Sequence, residues 1–385
     1  MEKRSNGEGT APKQRKNGLW YRAIRIEGTR ERKYLYAKTK AELDKKYKEF
    51  MKQVATETLV DSSKQTVEAY MMNWLTVHKK IELKPKSYDT LENSIKHQIA
   101  PFFKNKQFFA VTHDDVQKFI NKLDSDGCSY SIIRKAYLAL NACYKYAMMK
   151  GQAVKNPCFS VKLPKKSEKD IKQIQTLSQD EISVYCKQAA AQYNNGNSIY
   201  RLGYGLILIL FTGLRLGEAT GLTWDDIDFE KGTLSVRKTL GYVKNRNKEK
   251  NEKSYIFIEG TTKSKSSDRT IPLNQTALNA LSELKKINGK FDYVFSSKNG
   301  KPITPRNLNN THDYILEQAG IDHLSIHALR HTFASQLFAN KVDIKVISKL
   351  LGHSDVSITY NTYIHLMKEE MPNATAVLDS LLIAV

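Results

Sequence analysis

The feature that most constrains this chain is the segment YGLILILFTGL, whose stretch Leu206 to Phe211 is the longest uninterrupted apolar run in the sequence. As a helix it would be apolar on every side, so protein or lipid must enclose it. It falls far short of the roughly 18 to 20 residues a bilayer span needs. It is therefore expected to be a core helix, and a sizeable domain must surround it. With 385 residues the chain has room for two or three domains. Hydrophobic residues at 41% and aromatics at 10% are enough to fill their cores. Met1 to Lys16 is polar and charged, with no apolar signal core, so no membrane partner is expected.

Charge narrows the partner. Sixty-one Lys and Arg against 40 Asp and Glu give a formal charge of +21, which points to a polyanion. With no spanning segment in view, nucleic acid is the favoured one. Cys128, Cys143, Cys158 and Cys186 lack any paired spacing, which excludes a zinc site or a disulfide framework and suggests core thiols in a reducing cytoplasm.

Three parts follow from patterning. Residues 1–60 open on a basic lead. LWYRAIRIEGTRERKYLYA then predicts short strands with a turn, and Leu43, Tyr47, Phe50 and Met51 recur at helical spacing. This part carries 16 basic and 8 acidic side chains, which suits contact with phosphates. Residues 64–162 read as a helical bundle, with helix starts expected at Thr112 and around Ser129 to Ser131. Lys84, Lys86, Lys96, Lys104 and Lys106 are candidates for a DNA-facing surface or simply solvated. The Pro- and charge-rich segment near 157–173 reads as a linker. Residues 174–385 mix helices with strand-like GTLSVRKTL, YIFIEG and TIPL, and return to helix from Asn274. The fold class expected is multi-domain, mainly α with α+β.

The last part holds the residues that can carry chemistry. Arg215 follows the apolar helix in TGLRLGE. His327 and Arg330 share a helix face in HALRHTFAS, three positions apart. His353 lies in LLGHSD, where Gly352 reads as a helix end, and Tyr363 stands ten residues on. Arginine in an apolar setting is costly unless paired, so two of them imply internal ion pairs or a bound anion. A phosphodiester in transfer matches guanidinium forks and spreads negative charge over the oxygens they hold. A phenol needs a base and positive neighbours to attack near neutral pH. The chain shows no G-x-x-x-x-G-K-[ST] loop and no carboxylate cluster at metal-site spacing, so no cofactor is expected.

On TGLRLGE, TTKSKSSDRTIPL, HALRHTFAS, LLGHSD and the following tyrosine, taken in order, the sequence resembles the tyrosine recombinases, specifically the integrases of phages and integrative conjugative elements. The resemblance implies a small N-terminal arm-type DNA-binding module (1–60), a helical core-type DNA-binding domain (64–162) and a mixed α/β catalytic domain with a C-terminal tail (174–385). It implies a site-specific enzyme that cleaves and rejoins DNA through a 3′-phosphotyrosyl intermediate, integrating and excising a mobile genetic element. Arg215 and Arg330 would clamp the scissile phosphate and Lys263 would protonate the leaving 5′ oxygen, with Lys265 the alternative. His327 would act as base toward the tyrosine, His353 would hydrogen-bond the phosphate, and Tyr363, rather than Tyr360, would attack. His331 and Glu218 are read as structural, Glu218 as a buttress for Arg215. Implied partners are core and arm attachment sites, three further copies of the chain in a tetramer on synapsed DNA, and accessory DNA-bending or excisionase proteins. The implied setting is the bacterial cytoplasm, in association with the nucleoid.

Two other expectations compete. A type IB topoisomerase runs the same chemistry without strand exchange, and an inert DNA-binding protein could keep the fold. The apolar tail from Val377 to Ile383 could pack on its own domain or on a neighbouring protomer.

Overall fold

The structure, a computed structural model, describes residues 11–15, 18–25, 32–55, 65–153, 155–166, 174–249, 252–261 and 268–368. The chain divides into two compact units between Ile171 and Lys172.

The first unit opens with an antiparallel sheet in the order β1 (Lys13–Gln14), β2 (Trp20–Arg25), β3 (Arg32–Ala37), with Arg22 opposite Leu35. Helix α1 (Lys40–Ala55) covers one face. Ile24, Ala37, Leu43 and Phe50 are buried there, as the two periodicities require. The Arg22 guanidinium lies 3.4 Å from the Tyr47 ring centre. On the other side Arg15 stacks over Tyr21 and Tyr36, and Tyr34 and Tyr36 are exposed.

A helical bundle follows: α2 (Val67–Trp74), α3 (Lys80–Glu82), α4 (Pro85–Ser94), α5 (Ala100–Phe103), α6 (His113–Ser125) and α7 (Tyr130–Met149). Two π-helical turns, Leu75–Lys79 and Ile95–Ile99, continue α2 and α4. Thr112 caps α6 in a reciprocal box with Asp115, and α7 starts directly after Ser129. The core is aromatic: Phe108 stacks between Tyr70 and Tyr144, whose hydroxyl donates to the Phe108 carbonyl at 2.6 Å. Of the five lysines singled out above, Lys96 pairs with Glu92 and Lys106 with Asp115, while Lys84, Lys86 and Lys104 are exposed.

The second unit is built around one helix. After α8 (Gln179–Ala189), α9 (Gly203–Thr212) runs through the centre with Leu206 to Leu210 all buried. It packs on α8, α11 (Gln275–Asn288), α12 (Pro305–Ala319) and α13 (His327–Ala339). The expectation from its all-round apolarity holds. Short α10 (Leu216–Gly221) leads to two separate small sheets. One is three-stranded, in the order β4 (Ile227–Asp228), β5 (Thr233–Val236), β8 (Arg269–Pro272); the other is the hairpin of β6 (Lys238–Lys244) and β7 (Tyr255–Thr261). Helices α14 (Ile344–Leu351) and α15 (Val356–Lys368) complete it. Among the described residues no helix is long and apolar enough to cross a membrane. The four cysteines are free, and burial pushes the Cys158 thiol up to about 12 and Cys186 to about 11, so both stay protonated.

Candidate active site

The site forms where the C-terminal end of α14 meets the loop after α9. Helix α9 stops at Gly213, whose φ of 64° lies in the left-handed region and whose Cβ position is occupied by the Phe333 ring. Leu214 anchors in the core, and Arg215 follows in extended conformation as the N-cap of α10, which points its side chain out of the turn. Glu218 reaches back to the Arg215 backbone N–H at 2.9 Å and takes the Arg215 guanidinium at 2.7 Å. It also takes both Nη atoms of Arg269, from β8, at 3.2 and 2.9 Å. Burial alone would raise this carboxyl's pKa, but bonding and charge from Arg269, then Arg215, hold it below the usual value.

A helix C-terminus leaves its last carbonyls without intrahelical donors and carries partial negative charge. At α14 three arginines take them in turn. Arg269 Nε donates to Leu350 O at 2.6 Å, Arg330 Nη2 to Leu351 O at 2.7 Å, and Arg215 Nη2 to Gly352 O at 3.0 Å. Arg330, on α13 and 2% exposed, also donates to Gly213 O at 2.7 Å, which ties the two loops together. Burial, then Arg215, lowers its pKa to about 9, so it remains charged at neutral pH. Among the described residues, three guanidiniums gather about the carboxylate of Glu218, an excess of positive charge. Such a centre favours an anion.

The histidines are neutral. Burial, then Arg330 and Arg215, lower His353 to about 4. Because a guanidinium only donates, the 3.0 Å contact from Arg330 Nη2 makes His353 Nε2 an acceptor and places its proton on Nδ1. That nitrogen then donates to buried Thr359 Oγ1 at 2.7 Å. Burial, then Arg330 and Arg215, also lower His327, whose ring meets that of His331 edge-on at 4.8 Å. Tyr363, one turn after Thr359 on α15, is 2% exposed, and its hydroxyl lies 2.9 Å from His331 Nδ1. Burial pushes this phenol up to about 12, against the pull of Arg330.

The structure thus brings Arg215, Arg330 and His353 together and sets His327 and Tyr363 beside them, linked through His331. Tyr360 is 43% exposed. Lys263, Lys265 and the tail after residue 368 lie outside the described residues. Glu218 buttresses Arg215 as expected, and Arg269 shares it. Sequence reasoning passed over Arg269 and Thr359 and read His331 as structural only. Spacing offered a hint for the last two, since His331 is four after His327 and Thr359 four before Tyr363, on shared helix faces.

A mainly helical unit that assembles arginines, histidines and a tyrosine at one helix end is the arrangement of a tyrosine recombinase. The chain belongs to the phage integrase family: residues 175–370 match that family, and residues 66–123 match the phage integrase N-terminal SAM-like domain. A tyrosine recombinase XerC-like protein of Caldanaerobacter subterraneus is 31% identical over 96% of this chain and 98% of its own. The integrase of Staphylococcus phage L54a is 26% identical, over 79% of this chain and 90% of its own. In fold the chain is similar to the Tn1549 transposon integrase in complex with transposon right end DNA. The TM-score is 0.65 at 20% identity, over 81% of this chain and all of that one. It is also similar to a lambda integrase dimer bound to a COC′ core site, with a TM-score of 0.58 at 16% identity, over 94% and 96%. The protein is a site-specific integrase of a mobile element, a DNA recombinase.

Proposed function

We propose that Tyr363 is the nucleophile of this recombinase and that Arg215, Arg330 and His353 hold the scissile phosphate. The observation that carries this reading is the convergence of three guanidiniums on one helix end, beside the tyrosine. A phosphodiester supplies the missing negative charge, and its transition state supplies more. The Tyr363 Oη–phosphorus bond forms as the bond to the 5′ oxygen breaks, leaving a 3′-phosphotyrosyl ester. His327, kept neutral by burial and the neighbouring arginines, takes the phenol proton. Lys263 supplies a proton to the leaving 5′ oxygen, a role that rests on family resemblance alone. One phosphate ester replaces another, so a 5′ hydroxyl reverses the step on the same or another strand.

The duplex is bound in two places: core sites by residues 64–162 with the catalytic domain 174–385, and arm sites by residues 1–60. The Arg15–Tyr36 face with exposed Tyr34 supports the second, since basic and aromatic groups together suit a phosphate backbone. Strand exchange needs two duplexes and four protomers; a lambda integrase tetramer bound to a Holliday junction has a similar fold (TM-score 0.56, 16% identity). We place the protein in the bacterial cytoplasm with the nucleoid, working with accessory DNA-bending or excisionase proteins.

A suicide duplex nicked beside the scissile phosphate tests the reading. Wild type should accumulate a protein–DNA adduct that maps to Tyr363, and Y363F should form none. R330K should slow adduct formation by about 10²- to 10³-fold, the usual cost of losing one positioned donor to a transition-state oxyanion. An adduct that persists in Y363F, or that stops when divalent metal is chelated, would overturn it.

A further inference from the structure

The hydroxyl that must attack DNA is turned away from solvent. Tyr363 is 2% exposed, and it packs with Ala334, Ile347 and Leu351 from α13 and α14. A duplex presents its phosphates at the protein surface, so this phenol has to leave its pocket before it meets one. Inside the pocket the hydroxyl meets His331 Nδ1, at 2.9 Å. His331 sits beside Arg330 and His327. Burial, then these two neighbours, lower its pKa to about 4, which keeps an uncharged nitrogen available as acceptor. In this contact the phenol donates and the uncharged Nδ1 accepts. The contact therefore holds the tyrosine in its pocket.

We propose that the His331–Tyr363 hydrogen bond is a resting latch: it keeps the nucleophile buried in a protomer not engaged with DNA, and α15 must break it before strand cleavage. His331 is then a positioning residue that acts on Tyr363, distinct from His327, the proton acceptor of the reaction. The inference rests on Tyr363 being the nucleophile. It makes the spacing of HALRHTFAS meaningful: one helix face presents His327 to the chemistry and, one turn on, His331 to the resting tyrosine.

The test is the rate of adduct formation by the full chain on a nicked half-site duplex, with the adduct residue mapped. H331F removes the acceptor but keeps a planar ring. It should react about five- to tenfold faster than wild type, the weight of one buried hydrogen bond. H331N, whose side chain keeps an acceptor near the Nδ1 position, should fall back toward the wild-type rate. Adducts at Tyr363 forming at wild-type speed in H331F would overturn the latch alone. So would a large slowing in both variants, which would make His331 a participant in proton transfer. An adduct on a different tyrosine would remove the nucleophile assignment, and the latch with it. Should H331F fail to fold, 3-fluorotyrosine placed at position 363 of the wild-type chain decides. Its fluorine resonance must move from a buried to a solvent-exposed shift when the half-site binds, and a resonance that stays put while adducts form would refute the latch.

Discussion

Gly352 shows how narrowly the site is specified. Its φ of 66° is in the left-handed region, where a Cβ costs about 1–2 kcal/mol. A Cβ there would also lie 2.9 Å from an Arg269 Nη1 that is locked onto Glu218. Gly352→Ala should therefore lower stability by about 2 kcal/mol. It should slow adduct formation by more than that loss explains, because it pushes on the ion pair that holds Arg215. Gly352→Asn separates the causes, since Asn tolerates the dihedral but not the contact. If G352N cleaves like wild type, the contact with Arg269 does not matter. The sequence foretold the helix end from the Leu-Leu-Gly pattern, and it foretold that Arg215 and Arg330 need an anion or a carboxylate. It could not foretell that three arginines from positions 215, 269 and 330 cap consecutive carbonyls at 350, 351 and 352, because that arrangement exists only once strand β8 and helices α10, α13 and α14 have met.

Helix α9 was the most legible element, because a run apolar on every face leaves only one place to be. Its glycines are less transparent, since Gly normally weakens a helix by about 1 kcal/mol relative to Ala. The packing supplies the reason: a Cβ on Gly205 would overlap the ring of Phe295, which is fully buried. Two effects of Gly205→Ala oppose each other. The propensity gain is about 1 kcal/mol, while overpacking a rigid core costs about 1–3 kcal/mol. A ring with no room to move puts the balance on the side of loss. G205A should lower the denaturation midpoint of the second unit, and adding F295L should restore most of it; a G205A protein more stable than wild type would show that Phe295 can yield. The π-helical turns Leu75–Lys79 and Ile95–Ile99 were not legible, since their apolar spacing is close to that of an ordinary helix and the extra residue per turn is set by neighbours.

Across the protein, the same burial that shapes the site ties stability to pH. Burial lowers the proton affinity of four histidines, His312, His327, His331 and His353, all in the second unit, three of them to about 4. His312 shows why: fully buried on α12, it is held by Tyr185 and the Leu324 carbonyl, and burial outweighs that carbonyl and the nearby Asp313 charge, both of which favour the protonated ring. In the unfolded chain each of these rings titrates near 6.5. Between that value and about 4 the unfolded state binds protons that the folded state refuses, so stability rises with pH through this window and is lost as pH falls through it. Carboxylates such as Glu218 act in the same direction, but only below the unfolded carboxyl range near 4. The interval from pH 6.5 to 5 therefore isolates the histidines. Denaturant unfolding of the full chain should show the second unit's transition moving to lower denaturant as pH drops from 7.5 to 5. Replacing His312 by Phe, which retains a buried ring and cannot take a proton, should flatten part of that slope while leaving Arg215, Arg269 and Arg330 untouched. A transition indifferent to pH across the interval would mean that the buried imidazoles gain their protons without unfolding, and that the site's interior is far wetter than its packing indicates.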